Sequence, residues 1–163
     1  MLHKPKAGPE RYLTFRLDVL SAGAIRVAND VYVAGCGLAV RELRILRLID
    51  DNPGITFSEV TEQTRFDRSL ASRLLNELLR EGLIERENSA ADARVFHLRT
   101  TKAGRERRRL ATKIGQKLEA HLLKPLTESQ RAALLETIEL LTDWVHGDFA
   151  DELERYFGSK PKP

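Results

Sequence analysis

The chain has 163 residues, 42% hydrophobic and 31% charged, with a net charge of +3, which is typical of one soluble, helix-rich globular domain. No apolar run approaches the ~20 residues that a membrane-spanning helix needs, and the N-terminus lacks the apolar stretch of a secretion signal. The single cysteine, Cys36, excludes an internal disulfide, so the cytoplasm is the expected compartment.

The N-terminal part is expected to hold a flexible arm followed by two helices. Residues 1–9 contain prolines, a glycine and lysines, which favours an arm without fixed structure. Residues 11–33 are predicted to form a long helix suited to packing along another helix, because apolar residues recur every three or four positions: Leu13, Leu17, Leu20, Ala24, Val27 and Val31. A second helix is predicted for residues 39–49, followed by a turn at residues 51–54.

A helix-turn-helix pattern comes next. Thr56 and Glu59, three positions apart, form a capping-box pattern that starts a short helix. Asp67 is the expected N-cap of a second helix, residues 68–81. Its buried stripe is expected to consist of Leu70, Ala71, Leu74, Leu75 and Leu78. Its opposite face carries side chains that could bind base edges and phosphates in a major groove: Arg68, Ser69, Ser72, Arg73 and Asn76.

A two-stranded wing is predicted after this helix. Residues 83–87 and 95–99 read as short strands, and the polar residues 88–94 join them as a hairpin tip. The predicted fold class is therefore mainly α with a small β-wing, a winged helix-turn-helix. Residues 65–109 contain 12 Lys or Arg against 7 Asp or Glu, a net of +5, whereas residues 127–154 contain 1 against 8, a net of −7. Charge runs are often only solvated surfaces, but beside a winged motif this basic segment favours DNA binding.

Two further long helices are predicted after the wing. The first covers residues 101–123. A capping box at Thr127 and Gln130 starts the second, which fades near Gly147. Residues 148–163 are expected to form a disordered C-terminal tail.

The first helix and the last two carry more apolar surface than a small winged domain could cover. We expect them to pack together and against a second copy of the chain. The domain would then span residues 10–147, with residues 55–100 as the DNA-binding segment flanked by long dimerisation helices at residues 10–34 and 101–147. A twofold dimer would present two recognition helices to two half-sites about one helical turn of DNA apart.

Several motifs resemble the MarR family of bacterial transcription regulators. Residues 72–86 are similar to its recognition helix and first wing strand. Residues 92–94, Asp-Ala-Arg, match its Asp-x-Arg wing motif, and residues 101–104 match its Thr-x-x-Gly helix start. Leu79 and Thr100 depart from the Glu and Leu that the family often has there, but neither is a DNA-contacting position.

The resemblance implies a DNA-binding regulator, most often a repressor, whose terminal helices form a homodimer on a pseudo-palindromic operator. At the wing tip, Arg94 could enter the minor groove and Asp92 could pair with it. The predicted DNA-contacting set is therefore Arg68, Ser69, Ser72, Arg73, Asn76, Asp92 and Arg94. The family also implies a small aromatic or anionic effector, bound in a crevice beside the dimer helices, with Arg16, Arg26 and Arg44 as candidate contacts.

Enzyme, metal and cofactor patterns are not found in the sequence. The glycines are scattered rather than grouped in a phosphate loop, and the four histidines are isolated. Cys36 is expected to be structural rather than redox-active. The alternative function is a winged-helix protein-interaction module without DNA binding. Such a module would more often carry an apolar patch where this helix carries arginine, serine and asparagine.

Overall fold

A computed structural model describes residues 8–88 and 96–158. In the described residues a 3₁₀ turn at Pro9–Arg11 precedes, in chain order, α1 (Leu13–Cys36), α2 (Val40–Asp51), β1 (Ile55–Thr56), α3 (Phe57–Thr64), α4 (Arg68–Arg80), β2 (Ile84–Asn88), β3 (Phe96–Thr100), α5 (Lys102–Leu122), α6 (Glu128–His146) and α7 (Phe149–Phe157). The chain divides into two compact units, with the boundary between residues 119 and 120, inside α5. Across the described residues, every helix is too short or too polar to cross a membrane.

Side-chain caps start both helices of the helix-turn-helix where the sequence predicts them. The Glu59 carboxylate accepts a hydrogen bond from the Thr56 N–H at 2.8 Å, and the Thr56 hydroxyl accepts one from the Glu59 N–H at 3.4 Å. Asp67 Oδ1 accepts a hydrogen bond from the Leu70 N–H at 2.8 Å. These side chains satisfy backbone donors that a helix start leaves without partners.

The long first helix extends further than predicted. It ends at Cys36 rather than residue 33, and Gly37, with φ of 69°, provides the left-handed residue that terminates it. Gly35 lies inside the helix, at a close approach to α5, where an added Cβ would be 2.6 Å from the Ile114 side chain. Only Gly37 of the two glycines therefore ends the helix.

The sheet has three strands in the order β1–β3–β2, all antiparallel. The predicted two-stranded wing is confirmed, with both strands beginning one residue later than expected. The sequence does not predict β1, because two residues are too few to show the alternation of a strand. This strand forms because Ile55 pairs with Leu98, whose carbonyl accepts a hydrogen bond from the Gly54 N–H at 2.9 Å.

The core of the first unit fixes α4 against α2 and the wing. Its largest fully buried side chains are Leu38, Leu43, Ile45, Leu46, Ile49, Val60, Leu78 and Ile84. Burying one such aliphatic side chain contributes about 1.5–3 kcal/mol. The predicted stripe of α4 is confirmed for four of its five members, and the fifth, Leu70, is half-buried.

α5 starts at a close contact with the wing. Gly104 lies so near the Leu83 carbonyl that an added Cβ would clash with it. The Thr101 hydroxyl donates a hydrogen bond to the Gly82 carbonyl at 2.7 Å and accepts one from the Gly104 N–H at 3.1 Å. The Thr-x-x-Gly pattern of the sequence thus joins the end of the wing to the start of a helix.

Two arginines, one turn further along α5, bind residues at the C-terminal ends of α1 and α2. Arg107 donates a hydrogen bond to the Cys36 carbonyl at 2.5 Å, at the terminus where α1 has unsatisfied acceptors. Arg108 forms ion pairs with Asp50 at 2.6 Å and with Asp51 at 2.7 Å. These contacts hold α5 against the helices that support α4.

The second unit contains one helix that the sequence analysis predicted and one that it did not. Thr127 and Gln130 form the predicted capping box of α6. The tail assignment of residues 148–163 was wrong for residues 149–157, which form α7. This segment has acidic residues in its first turn and Arg155 in its last, an arrangement that favours a helix through its dipole. Residues 159–163 lie outside the described residues.

Apolar side chains are exposed in the single chain on several helices, among them α1 and α6. On α1 they include Leu13, Leu17, Leu20, Val27 and Val31, and on α6 they include Leu134, Leu135, Ile138, Leu141 and Val145. These are the stripes that the sequence analysis expected to pack against other helices.

Candidate nucleic-acid interface

α4 turns a polar face to solvent while its apolar face is buried in the core. On the polar face Ser69, Arg73 and Asn76 are exposed, and Ser72 is half-buried. A shallow surface depression of about 460 Å³ is lined by Ser69, Ser72, Arg73, Asn76, Glu77 and Arg80. The structure therefore brings together four of the seven predicted DNA-contacting residues. Their hydroxyl, guanidinium and amide groups are donors of the kinds that bind base edges in a major groove.

Arg68 has a different position at the start of α4. Its guanidinium carbon lies 5.4 Å from the ring centroid of Phe57, the first residue of α3. Such a contact at an exposed site is worth about 0.5–1 kcal/mol and directs the side chain. Arg68 is not among the described residues that line the depression, so its place favours a phosphate contact over a base contact.

The wing contributes a further arginine to this surface. Arg86 on β2 donates a hydrogen bond to the Asn76 side-chain oxygen at 3.1 Å, and its guanidinium carbon lies 5.5 Å from the Phe96 ring centroid. Arg99 on β3 pairs with Glu87 at 2.6 Å, with both side chains about half exposed. An exposed pair of this kind contributes at most about 1 kcal/mol.

The two predicted wing-tip residues, Asp92 and Arg94, lie outside the described residues. The strands on either side end at Asn88 and Phe96, which are paired in register. A minor-groove contact by Arg94 stays a prediction.

The sequence analysis missed the contact between Arg86 and Asn76. The two residues are ten positions apart and lie on different kinds of element, so no helical or strand period relates them. The sequence gives no signal for this contact, which depends on how the wing packs against α4. Arg80 and Glu77, which extend the depression by one turn, could have been found from helical spacing after Arg73 and Asn76.

Two carboxylates of the first unit have pKa values shifted in opposite directions. Hydrogen bonds from the Thr56 N–H and hydroxyl lower the pKa of Glu59 below its ordinary value. For Glu42 on α2, burial raises the pKa, the Ala39 N–H opposes that rise, and the negative charges of Glu77 and Glu81 add to it. The first carboxylate is thus stabilised in its charged form and the second in its neutral form.

A second concave site lies beside the start of α4. This cavity of about 460 Å³ is lined by Asp18, Ser21, Ala22, Ile25, Arg26, Val40, Arg41, Arg44, Arg65, Phe66, Asp67 and Leu70. It combines four arginines with apolar side chains, and its volume lies within the range of small-molecule sites. Of the candidate effector contacts, Arg26 and Arg44 line it, and Arg16 is not among the described lining residues.

Comparison with known proteins gives matches in sequence. A family model described as MarR family matches residues 37–95 of the chain. The uncharacterized HTH-type transcriptional regulator YdgJ of Bacillus subtilis (strain 168) is 23% identical over 116 residues, which cover 71% of this chain and 71% of that protein.

Solved structures with a similar fold include a crystal structure of MarR, with a TM-score of 0.75 and 25% sequence identity over 82% of this chain and 96% of that chain. Another is a mutant MarR from E. coli complexed with operator DNA, with a TM-score of 0.69 and 22% identity over 79% of this chain and 92% of that chain. The winged helix-turn-helix fold expected from the sequence is confirmed.

Proposed function

Because the chain belongs to the MarR family of transcription regulators, we propose that it is a sequence-specific repressor that binds a pseudo-palindromic operator as a homodimer and responds to a small effector. The observation that carries this proposal is the arrangement of α4. Its apolar stripe is buried, and its exposed face presents Ser69, Arg73 and Asn76 beside the wing. Since that proposed target is DNA, the protein would act in the cytoplasm.

The dimensions of α4 suit a major groove. A groove about 12 Å wide admits one α-helix, whose side chains then reach the base edges. Arg73 lies near the middle of α4 and lines the depression, so it is the best placed of the described arginines for a bidentate contact with guanine. Arg68 would contact a phosphate from the start of the helix and fix its register.

The homodimer is supported by the apolar stripes of α1 and α6. The single chain leaves both exposed, and a soluble protein rarely leaves a long apolar stripe in water. A twofold dimer would place two copies of α4 against two half-sites, which is why we propose a pseudo-palindromic operator.

The effector response is supported by the cavity that Arg26 and Arg44 line. Asp67 caps α4 and lines this cavity, as does Leu70, whose N–H the cap binds. An anionic aromatic ligand would meet arginines and apolar side chains there, directly beside the start of the recognition helix. Arg44→Ala should lower the benzoate or salicylate response of operator binding and leave the affinity without ligand nearly unchanged, as fluorescence anisotropy would measure.

The test of DNA recognition uses the full chain. Operator sequences are selected from a random library, and affinities for the selected and a scrambled site are compared. Arg73→Ala should lose roughly 1–3 kcal/mol on the selected site and relax specificity at one position per half-site. Arg155→Ala removes the same charge from the acidic C-terminal part and serves as the control.

Two results would count against the proposal. Equal weakening of both sites by Arg73→Ala would leave Arg73 as a phosphate contact only. A protein that selects no sequence and binds both sites only weakly would favour the protein-interaction module instead.

A further inference from the structure

Arg86 lies where the recognition helix and both strands of the wing meet. It extends from β2, donates a hydrogen bond to the Asn76 oxygen on α4 at 3.1 Å, and stands 5.5 Å from the ring centroid of Phe96 on β3. All three side chains are exposed, although each has a partner within this cluster. The cluster borders the depression that Asn76 lines, so it belongs to the surface that would face DNA.

The chemistry of the guanidinium fixes the direction of the Asn76 amide. Arginine has five N–H donors and no acceptor, so the atom of Asn76 that faces it must be the oxygen. The NH₂ group of Asn76 then points away from Arg86. Without this partner, the two ends of the amide could exchange places by a rotation about the last side-chain bond.

This orientation changes which base Asn76 can recognise. Asparagine usually binds adenine through two bonds, in which its oxygen accepts from N6 and its NH₂ donates to N7. Here one lone pair of the oxygen accepts from a cation, and that positive charge repels the partly positive amino group of adenine at the remaining lone pair. Guanine offers only acceptors, O6 and N7, on its major-groove edge.

We propose that Arg86 is a specificity-determining residue that orients Asn76 as a hydrogen-bond donor, so that the pair selects guanine rather than adenine at one position of each half-site. This inference rests on the proposed DNA-binding function and adds to it the base that the wing-side end of α4 recognises. The Phe96 ring, 5.5 Å from the guanidinium carbon, gives Arg86 a second partner beside Asn76.

The experiment measures base preference rather than affinity alone. In a selected operator, each half-site position facing α4 is changed to all four base pairs, and Kd is measured for the wild type, Asn76→Ala and Arg86→Ala. The wild type should prefer guanine over adenine roughly tenfold at one position per half-site. Asn76→Ala should abolish that preference. Arg86→Ala should abolish the preference for guanine or reverse it in favour of adenine. Without Arg86, the Asn76 amide can present its oxygen as well as its NH₂ group to a base.

Two further variants separate specificity from charge and from folding. Arg99→Ala removes an arginine from the other wing strand, where its partner is Glu87, and should change affinity without changing base preference. Arg86→Lys keeps the charge and a side chain that only donates hydrogen bonds, so it should retain most of the base preference that Arg86→Ala loses. Thermal unfolding of each variant checks that the fold is intact.

The outcome separates this inference from the function on which it rests. Equal weakening of all four base pairs by Arg86→Ala would make Arg86 a phosphate contact and overturn the inference, while DNA recognition would stand. A wild-type preference for adenine at the position that depends on Asn76 would also overturn it. A wild-type protein that selects no operator would refute the proposed function and this inference together.

Discussion

α4 and α1 carry similar apolar stripes but differ in what covers them. In α4, Leu75 and Leu78 are 4% and 0% exposed, because α2 and the sheet pack over them. In α1, Leu20 and Val27 are 59% and 62% exposed in the single chain. Helical periodicity predicts which side of a helix is apolar, but it does not tell whether the same chain or another chain covers that side.

This difference distinguishes two apolar stripes. The stripe of α4 is buried by other residues of the same chain, whereas the stripe of α1 is left exposed to solvent. The helix-turn-helix and the wing have caps, a sheet and a buried core within one unit. The stripe of α1 has the spacing of a coiled-coil seam, and the residues that the structure describes leave most of it exposed. Substitutions in the two stripes test this contrast, and the largest effect is expected for α1.

A charge in the α1 stripe should separate the proposed dimer. Val27→Asp would place a carboxylate without a partner in a buried interface, which costs on the order of 3–5 kcal/mol. Sedimentation at micromolar concentration should give about twice the chain mass for the wild type and the chain mass for the variant. Val19→Asp makes the same substitution at an exposed position of α1 outside the stripe, and it should leave the dimer intact. A wild type that sediments as a monomer would refute the two-half-site mechanism.

A cavity in the α4 stripe should destabilise the single-chain core instead. Leu78→Ala removes a fully buried side chain and should lower the free energy of unfolding by about 2–5 kcal/mol, measured by urea denaturation. Leu140→Ala, on α6, truncates a leucine that is 69% exposed and should change it by less than about 1 kcal/mol. If Leu78→Ala behaved like Leu140→Ala, α4 would not depend on this core.

Local signals explain why so much of the DNA-binding segment could be predicted from the sequence. The Thr56–Glu59 box and the Asp67 cap connect residues three positions apart, so their spacing is visible in the sequence itself. The buried side of α4 follows from the helical period. The polar side of the same helix then follows, and with it four of the candidate contacts.

Features that depend on distant partners could not be predicted in this way. β1 is too short to have a pattern and forms only because β3 pairs with it. The contact of Arg86 with Asn76 needs the register of the wing against α4. α7 was not predicted for a local reason, because it directly follows Gly147, and glycine commonly ends a helix.

A smaller effect is expected on the salt dependence of operator binding, which tests both the wing tip and the proposed dimer. Each phosphate that a protein neutralises makes the slope of log affinity against log salt about 0.9 more negative. If Arg94 contacts a phosphate-lined minor groove and two protomers bind one operator, Arg94→Ala should make the slope shallower by roughly 2. A protein bound as a monomer would give roughly 1. Binding is measured at four salt concentrations, and Arg155→Ala is the control with unchanged slope.

The sequence flanking the predicted wing contact gives the same experiment a second readout. The loss caused by Arg94→Ala should be greatest on A·T-rich flanks, where a narrow minor groove concentrates negative potential. An unchanged slope without flank dependence would mean that the wing tip does not contact DNA.

The smallest expected effect is the pH dependence of the α3 cap, which belongs to the part that folds on its own contacts. Hydrogen bonds from Thr56 lower the pKa of Glu59 in the folded chain, so the charged carboxylate stabilises the fold. That contribution is present above the ordinary pKa of a glutamate and is lost as the pH falls through the lowered value.

Glu59→Gln keeps an acceptor for the Thr56 N–H but does not titrate. The wild type should therefore be more stable than Glu59→Gln near pH 6, and the difference in urea midpoint should shrink toward pH 3. Glu42→Gln should show the opposite trend, because its raised pKa gives a contribution that is present at low pH and is lost as the pH rises. A midpoint difference for Glu59→Gln that stays constant across this range would mean that the cap does not depend on the charge of Glu59.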